Sequence, residues 1–160
     1  MGATLEGLMH TVSQSFLTPV LIAISVLFAY ALFALGAFAW QAVQRRRGQL
    51  AGFELRHARH LAPDLTEVDL EVLAARRLEP ARLTSRVAPM LGLVATMIPM
   101  GPALQALGDG NLADVSRSLS VAFSAVILSL IAASLTHGVV QVRRRWYLAE
   151  IATLDAEAEA

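Results

Sequence analysis

The feature that most limits how this chain can fold is the alternation of three long uncharged apolar stretches with clusters of arginine. Residues 16–43, 87–107 and 119–140 contain no Asp, Glu, Lys or Arg. At 1.5 Å rise per residue the first covers about 40 Å and the other two about 30 Å each, the thickness of a bilayer's hydrocarbon core. One such stretch fits a buried helix of a water-soluble protein, but three in 160 residues do not. Only 16% of residues are charged, against roughly a quarter in an ordinary soluble domain. The pattern predicts an all-α integral membrane protein with three transmembrane helices.

Arginine placement orients it. All 13 basic residues are Arg, and none precedes Arg45. Arg45, Arg46 and Arg47 follow the first stretch, and Arg143, Arg144 and Arg145 follow the third. Basic residues concentrate on the cytoplasmic side, so the N-terminus is expected outside and the C-terminus inside. The expected order is an outer segment 1–15, a first span 16–43 and a cytoplasmic helical segment 44–86. A second span 87–107, an outer loop 108–118, a third span 119–140 and a cytoplasmic tail 141–160 follow. Arg117 beside Asp114 is the one basic residue in the outer loop. Trp40 sits where an interfacial anchor belongs. The N-terminus lacks the basic n-region of a cleaved signal, and its apolar run is too long for one.

Several function classes drop out. A net charge of zero removes a globally basic nucleic-acid binder, and the absence of Cys removes thiol and zinc–thiolate chemistry. His57 and His60 stand at i, i+3 without a third ligand at suitable spacing, so no metal site is expected. No catalytic dyad and no phosphate-binding or cofactor loop is present, which makes an enzyme the weakest reading.

The polar segments read as helical. Thr66 with Asp69 resembles a helix start, Glu67 and Glu71 fall in its first turns, and Arg76 and Arg77 are expected near its end. Pro63 and Pro80 are expected to punctuate the segment. Tyr147, Ile151 and Leu154 share one helical face, which either packs against neighbouring helices or frays into solvent. Leu5, Leu8, Val12 and Phe16 make a short amphipathic pattern, consistent with a surface helix or a disordered terminus.

The second and third spans differ from the Leu-, Phe- and Ala-rich first. The second carries Pro89, Pro99 and Pro102 with Gly92 and Gly101, residues tolerated at membrane depth where protein or water covers the freed carbonyls. On a helical wheel Thr96 shares a face with Pro89, Gly92, Pro99 and Ala103. In the third span Ser120, Ser124 and Ser134 form one stripe, with Ser129 and Thr136 opposite. These hydroxyls either bond their own helix and permit close packing or line an interior shared by several copies.

Residues Ala88-Pro89-Met90-Leu91-Gly92-Leu93-Val94-Ala95-Thr96-Met97 resemble the signature of the MotA/TolQ/ExbB proton channel family, over roughly residues 80–150. The resemblance implies a bacterial inner-membrane energy converter: a ring-shaped homo-oligomer, a pentamer, whose second and third helices line a pore. A single-span partner of the ExbD, TolR or MotB type stands in that pore and supplies a membrane Asp. The family's pore-facing Thr falls on Thr96, and Pro89, Gly92 and Pro99 pack the pore helix. Ser120, Ser124 and Ser134 complete the expected proton path. The family's Glu and second Thr on the third helix fall on Val121 and Val126, which carry no polar group. A non-conducting oligomeric membrane scaffold is the alternative.

Overall fold

The computed structural model describes residues 2–49, 52–62 and 65–159, and the side chains of 12, 14–49, 52–62 and 65–157. The described residues form four helices and no strand: α1 (Gly2–Arg46), α2 (Glu54–Leu61), α3 (Glu67–Gly108) and α4 (Leu112–Glu159). Three of them, α1, α3 and α4, are long and apolar enough to cross a membrane. Only 22%, 28% and 28% of their most apolar stretches is buried. The remaining apolar surface would be costly in water and is neutral against lipid tails. The chain is a membrane protein.

The helix ends are set by local chemistry. Gly48 closes α1 at φ +68°, with its N–H on the Arg45 carbonyl and the Gln49 N–H on Gln44. Gly110 repeats the same arrangement after α3 at φ +76°, with its N–H on Leu107 and the Asn111 N–H on Ala106. In both, the left-handed glycine's own N–H and the next one satisfy carbonyls that the helix leaves bare. Asn111 then starts α4, accepting from the Asp114 N–H at 3.3 Å while its amide donates to the Asp114 carboxylate at 2.6 Å. Helix α4 therefore begins at Leu112, inside the segment expected to be the loop 108–118. Thr66 and Asp69 start α3 as expected: the Asp69 N–H reaches Thr66 Oγ1 at 3.3 Å and the Thr66 N–H reaches Asp69 at 3.0 Å.

Two expectations fail. Pro80 does not punctuate the segment 44–86, and Arg76 and Arg77 are not near a helix end, because α3 runs unbroken to Gly108. A proline inside a helix forfeits one hydrogen bond and crowds the previous turn, at about 3 kcal/mol. Burial of Leu70, Ala74, Leu78, Ala81 and Thr84 along one face of this helix offsets that loss. Pro63, Leu5 and Leu8 lie outside the described side chains; Val12 and Phe16 are exposed.

The chain divides into two compact units. The first comprises Met1–Tyr30 and Arg86–Ala133. Its interior sets Val20 and Ile24 of α1 against the small side chains of Ala95 on α3 and Ala125 on α4. Ala88 and Ala103 on α3 and Ala122 and Ala132 on α4 are also buried. Large apolar residues such as Ile22, Met90, Leu93, Met97, Phe123 and Ile127 are exposed. In lipid, burying apolar area gains little, so helices associate by close approach of small faces.

The second unit comprises Ala31–Ser85 and Ser134–Ala160. It has an ordinary apolar core: Leu55 of α2, Leu70, Ala74 and Leu78 of α3, and Tyr147, Ile151 and Leu154 of α4. Of the two expected fates for the Tyr147 face, packing is the one observed. Arg45 lies between the rings of Phe53 (4.7 Å) and Trp146 (4.5 Å), its Nε donates to the Gly52 carbonyl at 2.8 Å, and it pairs with buried Glu150. The second Glu150 oxygen accepts the Leu55 N–H at 2.9 Å. Gly52 has no substitute there, since a β-carbon would stand 2.7 Å from the Arg45 backbone nitrogen. Tyr147 donates to Glu54 at 2.7 Å, and Arg77 pairs with the same carboxylate.

Candidate ion pathway in the membrane helices

In the first unit, α3 and α4 pack tightly at Gly92. A β-carbon there would lie 2.1 Å from Ser129 Oγ and 3.6 Å from the Val126 Cα. Gly92 and Pro99 are buried, and Pro89 is half-buried. The small face of α3 is thus largely taken up inside the chain, together with Ala95 and Ala103. Thr96 sits beside that face, half-buried, with its hydroxyl donating to the Leu93 carbonyl at 2.7 Å.

On α4, Ser120 and Ser124 are exposed, and Ser124 donates to the Ser120 carbonyl at 2.9 Å. Ser129 is buried and donates to the Val126 carbonyl at 2.8 Å. Ser134, in the second unit, is exposed, and Thr136 is buried. The wheel therefore separates the serines correctly, with Ser129 and Thr136 facing inward and the other three outward. Thr96 and Ser124 bond to their own helices rather than to each other, so these hydroxyls do not form one site within a single chain. Val121, at 42% exposure, stands on the open side of α4 with Ser120 and Ser124.

A hydroxyl that donates to its own helix keeps two acceptor lone pairs. Such a group can accept from a protonated carboxylic acid or from water, and it cannot hold a proton itself. No carboxylate lies in 16–43, 87–107 or 119–140. Among the described residues no three His, Asp or Glu side chains are grouped to hold a metal ion.

One polar contact escapes the sequence reading. Pro102 has no N–H to give the Ile98 carbonyl four residues back, and the side-chain amide of Gln14 on α1 donates to that carbonyl at 3.3 Å. The orphaned carbonyl is legible from the proline; its partner, 84 positions away, is not.

The model of the MotA/TolQ/ExbB proton channel family matches residues 57–156. The chain belongs to that family. The match takes in α3 and α4 up to residue 156, with all seven residues expected along the path and its helix packing, and it leaves α1 out. Comparison with curated proteins and with solved structures gives no match. Membership in the MotA/TolQ/ExbB family carries a proton-channel type of membrane function, exercised with partners, in a family of channels and transducers rather than enzymes.

Proposed function

We propose that this chain is the pore-forming subunit of an inner-membrane complex driven by the proton-motive force, oriented with its N-terminus outside. Several copies, five by family resemblance, form a ring around a single-span partner, and the partner supplies the membrane Asp. The observation that carries this reading is the combination of family membership with spans that hold hydroxyls and no carboxylate. Apart from His137, three residues from the end of the third span, the group that holds a crossing proton has to come from elsewhere. The partner's acid is costly at membrane depth unless it is neutral, paired or hydrated. Thr96, Ser120, Ser124 and Ser134 accept hydrogen bonds from the protonated acid and from water along its route. Gly92, Pro99 and Pro89 keep α3 in place beside α4.

The test is proton flux in vesicles holding the chain and its single-span partner. Thr96→Val keeps the shape and removes the acceptor, so partner-dependent flux falls roughly tenfold, the equivalent of one lost hydrogen bond to the acid. Thr96→Ser retains most of it. Unchanged flux in Thr96→Val removes the role of Thr96. A second reading, a non-conducting oligomeric scaffold, is favoured by Val121 and Val126 at the family's polar positions. It predicts assembly with the partner and no flux.

A further inference from the structure

The second unit carries a cavity of about 160 Å³ between α3 and α4 whose chemistry the pathway does not use. Its lining includes Arg82 and Arg144, with Ala75, Leu78 and Leu148 as apolar walls and Glu71 at the far end. Four other arginines are committed to carboxylates: Arg45 to Glu150, Arg56 to Glu157, Arg77 to Glu54 and Arg117 to Asp114. Arg82 and Arg144 make no ion pair among the described residues, although Glu71 borders the same cavity.

Their height relative to the membrane is fixed by the helices. Arg82 precedes the second span by five residues and Arg144 follows the third by four, so both lie about 6–8 Å beyond the hydrocarbon edge. That is the headgroup layer, which adds roughly 5–8 Å on each side of the core. Glu71 lies about 24 Å beyond the same edge, well into water. The end of the cavity nearest the bilayer is therefore cationic, and its acidic end points away. Leu148 and Leu83 are exposed nearby, at 57% and 61%. The volume admits a phosphodiester with part of its glycerol and is too small for a helix of another protein.

We propose that Arg82 and Arg144 form a binding site for the phosphate of an anionic phospholipid drawn from the bilayer. Two guanidinium groups in one cavity can share a phosphate through charge-assisted hydrogen bonds. Seating the lipid there ties the cytoplasmic ends of the second and third spans to the membrane surface. The site depends only on the chain crossing a membrane, so it stands whether or not the complex conducts.

The test is lipid retention by the full chain, purified in detergent and exposed to equal amounts of phosphatidylglycerol and phosphatidylcholine, read by native mass spectrometry. The chain is expected to retain phosphatidylglycerol in preference, and R82Q/R144Q to lose that preference by roughly thirtyfold, the ratio that corresponds to two contributions of ~1 kcal/mol from basic residues near an anionic surface. Arg117→Gln, at the other end of the spans, leaves it intact. Leu148→Glu places a carboxylate at an exposed position and abolishes the preference without disturbing the core. Equal retention of the two lipids, or unchanged preference in both R82Q/R144Q and Leu148→Glu, overturns the proposal. So does displacement by millimolar glycerol phosphate as effective as by the lipid, which marks a site for free phosphate.

Discussion

Gly92 of α3 and Ser129 of α4 are so close that a β-carbon on Gly92 would stand 2.1 Å from the Ser129 hydroxyl and 3.0 Å from its Cβ. This contact leaves no room for a side chain between the two helices at that point. Gly92→Ala forces the Ser129 hydroxyl off the Val126 carbonyl and costs about 1 kcal/mol, while Gly92→Leu pushes the helices apart and costs about 1–3 kcal/mol. Gly92→Ala with Ser129→Gly recovers most of the loss. Thermal unfolding in detergent reads the coupling; additive losses would show that the two residues do not share the space.

The buried Arg45–Glu150 pair makes a sharper demand. Glu150 is 3% exposed, and its charge is balanced by Arg45 and the Leu55 N–H. Arg45→Met leaves that charge unpaired and lowers stability by about 3–5 kcal/mol. Arg45→Met with Glu150→Leu restores much of it, because the hydrophobic replacement has no charge to desolvate. Denaturation of the two variants side by side checks the order; equal stability of both would contradict it.

Gln14 and Pro102 form a conditional pair. Gln14→Leu removes the donor to the Ile98 carbonyl and costs about 0.6 kcal/mol, the average for a hydrogen bond between membrane helices. With Pro102→Ala, residue 102 regains an N–H for Ile98, and the same Gln14 change becomes nearly silent. A double-mutant cycle that shows no coupling would remove the contact from the account.

How much of this the sequence discloses follows from the range of each interaction. The spans, the Thr66–Asp69 start and the opposed faces of Ser124 and Ser129 depend on local period and capping, and all are readable within a few residues. Pro80 misleads because the packing of Leu78, Ala81 and Thr84 outweighs its local preference. The small face of α3 is readable as a packing surface, but that its Gly92 meets Ser129 within one chain is a tertiary fact. Gln14 on Ile98 and Glu150 on Arg45 join positions too distant for any local pattern to link.

Tyr147 and Glu54 give the second unit a pH signature at both extremes. Burial, then the hydrogen bond to Glu54, pushes the Tyr147 hydroxyl up to about 12 from an ordinary 10.0. Its contribution is fully present below pH 10.0 and disappears as pH rises through about 12. Burial alone would raise the Glu54 carboxyl, but the Tyr147 hydroxyl and Arg77 outweigh it and hold the group below its usual 4.5. That contribution is present above 4.5 and is lost as pH falls through the lowered value. In a Tyr30→Phe background, ultraviolet titration is expected to show phenolate absorbance from Tyr147 near pH 12; ionisation at 10 would contradict the buried bond.

The most direct test of the central claim is proton flux through vesicles holding this chain with and without a single-span partner that carries a membrane Asp. The chain alone is expected to pass no protons, since its spans contain no carboxylate and their one imidazole, His137, stands three residues from the end of the third span. With the partner, flux appears, and changing the partner's Asp to Asn abolishes it. Flux through the chain alone, or flux that survives the Asp→Asn change, would contradict the account of a channel that works with a borrowed acid.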